Sequence, residues 1–233
     1  MESSGAEVPL NPGVPGVPGV PGVPGVPGVH KDVAIAPEPP DVGARSLYLA
    51  ARLLAGAATF FFLAYLFAYF YLRSLNESGM WHPANVKPSQ AFGAVVVACV
   101  VASALLAIVA GRQMKAHSRG WVLSAGASVL LGLAAVVVQC IQYTSLHFGP
   151  TDGGYASVFC AWTALYAIAV LATMYWLETQ VATELRARRT PATGHGDIAE
   201  ADLLIAPGLD AVVFFWSYLA GIGVVTWVTL YLV

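Results

Sequence analysis

The chain reads as an all-α, polytopic membrane protein with five transmembrane helices. Three observations predict this. Of 233 residues, 58% are hydrophobic and only 10% are charged, against about 25% charged in a typical soluble domain. Five apolar runs reach the length of about 20 residues that a helix needs to cross a hydrocarbon layer about 30 Å thick. Lysine and arginine are distributed unequally between the connections on the two sides of those runs.

Residues 1–45 precede the first span. They lack the basic start and apolar centre of a signal peptide, and the acidic Glu2 and Glu7 do not suit mitochondrial import. From Pro12 to Val29 the triplet PGV occurs six times. Pro-Gly pairs favour turns while proline keeps the backbone extended, which predicts a disordered cytoplasmic arm acting as a tether. Six triplets are too few, and secretion too poorly signalled, for a collagen helix.

The spans are expected at 46–73, 90–111, 121–146, 155–178 and 209–233. In the first, six Phe and Tyr residues crowd into Phe62–Tyr71, and the run closes at Arg73. Aromatics stacked toward one end of an apolar helix and closed by a cation mark the headgroup level. Pro83, Pro88, Pro150, Pro191 and Pro207 are read as lying in connections, so that no span is broken, unlike the interrupted helices of many transporters. The stretch from Glu178 to Gly208 is read as a helical extension, ETQVATELRARR, followed by a solvated loop.

Nine cations (Lys31, Arg45, Arg52, Arg112, Lys115, Arg119, Arg186, Arg188, Arg189) fall on the N-terminal side, against Arg73 and Lys87 opposite. The bias puts the N-terminus in the cytoplasm and the C-terminus outside. Arg52 lies inside the first run, from which it can snorkel to the interface.

Intramembrane polar groups are costly and therefore informative. Gln139, Gln142 and Tyr143 share one helical face, since they stand three and four residues apart. They read as a hydrogen-bonding patch between helices. All five histidines lie in loops or at span ends, and no Asp, Glu or Lys stands at a span centre. Cys99, Cys140 and Cys160 lack any metal-ligand spacing and read as packing residues. No catalytic, cofactor-binding or metal-binding residue is therefore expected in this chain, and no basic cluster suggests nucleic acid.

Five motifs in register give the chain a family resemblance. Ala68–Arg73 reads AYFYLR, followed by Trp81-His82-Pro83. Gly132-Leu133 leads to Gln139, Gln142 and Tyr143. Tyr155, Ser157 and Phe159 open the next span, with Thr163 beyond, and Phe215-Trp216-Ser217-Tyr218 and Tyr231-Leu232 lie in the last. Together they resemble subunit III of the haem–copper cytochrome c oxidases in its five-helix bacterial form, over residues 46–233. The resemblance implies a non-catalytic subunit of an aerobic respiratory complex in the bacterial inner membrane. Its main partner would be subunit I, and haem and copper would reside in partner subunits. It also implies contacts with membrane lipid, including bound phospholipid, and makes Tyr69, Arg73, Gln139, Gln142, Tyr143, Trp162, Trp216 and Trp227 the candidate lipid or subunit contacts.

The departures from the family fall on ionisable positions. Ala58 stands where the family has a membrane carboxylate, and Gln142 replaces a glutamate. Tyr166 and Ala169 occupy two histidine positions, while Ser217 and Ala220 replace a histidine and an aspartate. Neither Ala nor Gln titrates near neutral pH, so a proton-antenna role is not expected. The two additional N-terminal helices of larger members have no counterpart, so their lipid cleft is missing or completed by a neighbour. An accessory subunit of nitric oxide reductase, or a stand-alone transporter or membrane organiser, is the alternative reading.

Overall fold

The computed structural model describes residues 40–76, 81, 88–189 and 195–233. Regular structure among them is helical throughout: α1 (Pro40–Ser74), α2 (Gln90–Lys115), α3 (Trp121–Thr144), α4 (Gly154–Arg189) and α5 (His195–Trp227), the last closing in a π-helical turn, Val228–Leu232. Each of the five contains a segment long and apolar enough to span a membrane. The PGV repeat, Pro83 and Pro191 lie outside the described residues.

Local chemistry sets the ends. Helix α1 opens at Pro40 rather than at residue 46; proline suits a first helical position, where its missing N–H has no intrahelical partner to lose. Helix α2 closes in a Schellman motif, with Ser118 N–H donating to Gln113 O (2.9 Å) and His117 N–H to Met114 O (2.9 Å). The motif needs a left-handed residue just past the helix, and His117 supplies it at φ 53°. Helix α3 stops at Thr144, short of the expected Leu146, because the hydroxyls of Thr144 and Ser145 fold back onto Ile141 O and Gln142 O (2.8 Å each).

The α4–α5 region differs most from the sequence reading. Helix α4 runs to Arg189 as the expected extension, but residues 195–208 are helix and not loop. Pro207 accordingly sits inside α5. It falls in the first turn of the apolar segment Ala206–Leu232, so the bond it removes lies at the edge of the span and the interior stays unbroken. Gly208 lies against the Gln180 side chain of α4 there: a β-carbon would stand 2.5 Å from Gln180 Oε1, which would have to turn aside. At 36 and 33 residues, α4 and α5 measure about 54 and 50 Å, well beyond a bilayer's apolar thickness.

Helix α5 packs on α1, α2 and α4; α3 bridges α2 and α4; α1 lies against α4 and α5. Only 17% of the apolar segment of α1 is buried, against 44% for α4 and for α5. Its aromatic run is divided between two faces. Phe62 and Tyr69 enter the core, while Phe60, Phe61 and Phe67 face outward.

Candidate functional site

Helix order brings the C-terminal ends of α1, α3 and α5 together with the N-terminal ends of α2 and α4. Most of the side chains singled out from the sequence meet at this end of the bundle.

The π turn that closes α5 is its organising element. Tyr155 Oη donates to Leu230 O (2.6 Å), Gln90 Nε2 to Tyr231 O (3.2 Å) and Arg73 Nη1 to Val233 O (2.8 Å). Carbonyls at the end of a helix lack intrahelical donors. Here side chains from α4, α2 and α1 supply them, so three other helices are tied to the end of α5.

Below the turn lies a neutral hydrogen-bonded chain. Tyr231 Oη accepts from Gln142 Nε2 (2.7 Å) and donates to Gln142 Oε1 (3.0 Å), while Gln139 Nε2 donates to Gln142 Oε1 (3.1 Å). Gln142 is fully buried, and only a partnered amide is tolerated there. Gly93 makes the arrangement possible, since a β-carbon would lie 2.6 Å from the Tyr231 ring. Tyr143 departs from its two neighbours: its hydroxyl pairs with Thr163 Oγ1 of α4 at 2.6 Å. Gln142 thus reaches α5 and Tyr143 reaches α4, while Gln139 bonds Gln142 within α3.

Aromatic packing surrounds this chain. Tyr69 meets Trp81 edge-on at 5.1 Å and Tyr155 at 6.5 Å, and Phe159 lies between Tyr155 and Tyr231 at 5.9 and 5.8 Å. Edge-to-face and stacked pairs of this kind add about 0.5–1.5 kcal/mol each to the area they bury.

The remaining candidates lie apart. Trp216 is wholly buried and its Nε1 donates to Ser103 Oγ (3.1 Å). Ser103 Oγ donates in turn to Ser128 O (2.6 Å), and Ser128 Oγ to Ser103 O (2.8 Å). This reciprocal clasp joins α2 to α3 and recruits α5. Trp162, 1% exposed, stacks on Tyr65 at 6.1 Å. Trp227 is half-buried beside Tyr231, and neither Trp162 Nε1 nor Trp227 Nε1 has a hydrogen-bond partner among the described residues.

The side chains of Tyr69, Gln142, Trp162 and Trp216 are buried among the chain's own helices. An aromatic in an apolar helix buries most area against neighbouring helices, and this chain has enough of them to use these residues internally. Arg73 remains exposed and combines a surface position with its bond to Val233.

The sequence reading passed over Ser103 and Ser128. Their signal was a hydroxyl in an apolar helix, a type so common in membrane spans that only an across-helix partner distinguishes it. Two further polar side chains in the spans bond to backbone carbonyls, one across helices and one within its own helix. Tyr166 Oη donates to Leu219 O (3.0 Å) and Ser217 Oγ to Val213 O (2.7 Å), while Ala58 packs against the core.

Among the described residues, no three His, Cys, Asp or Glu side chains gather as metal ligands. Apart from the Arg73 guanidinium, the site orients neutral donors and acceptors. Comparison with known proteins gives no matching family model and no matching curated protein.

Proposed function

We propose that this chain is a divergent, non-catalytic subunit III of a bacterial haem–copper terminal oxidase. In this reading it lies in the inner membrane with its N-terminus in the cytoplasm and its C-terminus outside. It packs against the cofactor-bearing subunit I and orders lipid around it. Electron transfer to oxygen and the coupled proton translocation occur on haem and copper held by partner subunits.

One observation carries the reading. Motif residues spread over more than 160 positions of sequence meet in space: Tyr69 and Arg73 of AYFYLR, Trp81 of the Trp-Pro loop, Gln142 and Tyr143, Tyr155 and Phe159, and Tyr231. Four of the five motifs contribute to this one cluster, while Phe215-Trp216-Ser217-Tyr218 lies apart from it. The cation bias supports the orientation, since Arg45, Arg52, Arg112, Lys115, Arg119 and Arg186 belong to one end of the bundle and Arg73 to the other. The outward Phe60, Phe61 and Phe67 of α1 offer apolar surface for a helix of a partner or for lipid.

The test is affinity purification of the tagged full chain from its native membrane in mild detergent. The expected result is a co-purifying haem protein that consumes oxygen. Consumption of nitric oxide instead would assign the chain to a nitric oxide reductase. Recovery of a haem-free chain that transports solutes alone in liposomes would overturn the proposal.

A further inference from the structure

In the N-terminal half of α1 an aromatic pair fixes the position of one cation. The Arg52 guanidinium lies over the Tyr48 ring, 4.5 Å from its centroid, and its Nη2 donates to Tyr48 Oη (3.4 Å). The Tyr48 ring in turn packs on Phe214 of α5 at 5.7 Å. Stacking on an aromatic face holds a planar guanidinium in one place, where a free arginine would sample many rotamers.

That charge is uncompensated within the chain. Arg52 is exposed, and among the described residues no carboxylate lies within ion-pair distance of it. Asp210, one turn before Phe214 on α5, pairs instead with Lys115 Nζ of α2 at 2.9 Å. Tyr48 takes one guanidinium N–H, and the remaining donors of the fork are left for an acceptor from outside.

Depth along the helix identifies that acceptor. Arg52 stands about 31 Å along α1 from Arg73, close to the hydrocarbon thickness of about 30 Å. With Arg73 at one headgroup level, Arg52 falls at the other, among lipid phosphates. The surface beneath it suits an acyl chain. Gly56, one turn deeper on the same face, is exposed, and a β-carbon there would meet nothing within 4 Å. It leaves a notch under the guanidinium, with the outward Leu53 and Phe60 beside it. A phosphate accepts the guanidinium fork through two oxygens. An anionic head group balances the cation, whereas an ammonium-bearing one brings a like charge beside it.

We propose that Arg52, held in place by Tyr48, binds the phosphate of an anionic phospholipid in the leaflet on the N-terminal side, with one acyl chain lying along Gly56. The site deepens the lipid-ordering role proposed above and rests on that reading. Its test needs neither haem nor a partner subunit, so failure here is distinguishable from failure of the oxidase assignment.

Electron spin resonance of the purified full chain in phosphatidylcholine bilayers reads this with two probes, phosphatidylglycerol and phosphatidylcholine, each spin-labelled near the end of one acyl chain. The motionally restricted fraction of the spectrum gives the relative association of each probe with the protein. The wild type is expected to prefer phosphatidylglycerol several-fold. The preference should be largely lost in Arg52→Gln and reduced in Tyr48→Leu. It should persist in Arg112→Gln, which removes another exposed cation from the same end of the bundle. Equal association of the two probes with the wild type overturns the proposal without recourse to any variant. A preference that survives Arg52→Gln overturns it too. So does an equal fall in Arg52→Gln and Arg112→Gln, since the attraction would then belong to the basic end of the bundle at large.

Discussion

Replacing Ser103 by Ala asks how far neutral hydrogen bonds, beyond packing, hold the bundle together. Ser103 donates its proton to Ser128 O (2.6 Å), and its oxygen accepts the Trp216 indole N–H (3.1 Å). Ser103→Ala therefore removes one donated and one accepted bond and strands Trp216 Nε1 in a side chain with no exposure. Hydrogen bonds between membrane helices average about 0.6 kcal/mol, with a ceiling near about 1.7 kcal/mol. A buried donor left unsatisfied costs about 1–3 kcal/mol. Ser103→Ala is thus expected to destabilise the bundle by about 2 kcal/mol. Ser128→Ala should cost about 1 kcal/mol, since no indole depends on its hydroxyl. Combining Ser103→Ala with Trp216→Phe should cost about 1 kcal/mol less than the sum of the two, because the orphaned indole exists only when Trp216 is present. Reversible unfolding in mixed micelles titrated with sodium dodecyl sulfate, followed by near-ultraviolet circular dichroism, measures these differences. If Ser103→Ala lies within about 0.5 kcal/mol of wild type, or the pair is additive within that margin, the clasp is not what joins α2, α3 and α5.

Three further outcomes follow from the geometry. Gly93→Ala places a methyl 2.6 Å from the Tyr231 ring; overpacking of this kind should cost about 1–3 kcal/mol, and hydrogen exchange of the π turn should rise in the same variant. Tyr69→Ala should cost about 3 kcal/mol, as for a large aromatic truncated in a core. Tyr69→Phe should be neutral within about 0.5 kcal/mol, because the Tyr69 hydroxyl makes no hydrogen bond among the described residues, and micelle unfolding compares the pair. His117→Gly should stabilise by about 0.5–1 kcal/mol, since glycine adopts φ 53° without the strain that a β-carbon brings. A thermal melt in detergent tests this, and a loss of stability would mean that the His117 side chain has a role beyond the turn.

Much of the α-helical framework was legible because long apolar runs mark it. Length and apolarity alone separate five spans, and the aromatic-rich end of α1 with Arg73 is visible as letters. Residues 195–208 were misread for an equally physical reason. Pro207, Gly208 and the acidic residues before them carry loop chemistry, yet the helix continues through Pro207, where a single lost backbone bond at the edge of the apolar segment does not end it. The site was half legible. Gln139 and Gln142 stood out as polar residues in an apolar run, whereas their partner Tyr231 lies 89 positions from Gln142 and gives no sequence signal of the pairing.

By itself the sequence was enough to read five helices long and apolar enough to cross a membrane, the neutral polar residues within those runs, and the motifs that resemble a known family. Those properties follow from composition and local spacing, which the hydrocarbon layer selects directly. Only the tertiary structure decided which aromatic side chains serve the interior and which face outward. A helix rich in Phe and Tyr has no polar face to reveal its orientation, so packing alone makes the choice: Phe62 and Tyr69 go in, and Phe60, Phe61 and Phe67 go out. The tertiary structure likewise paired Ser103 with Ser128 and Gln142 with Tyr231. Where solvent offers no hydrogen bonds, each buried polar group must find its partner on whichever helix packing brings within reach.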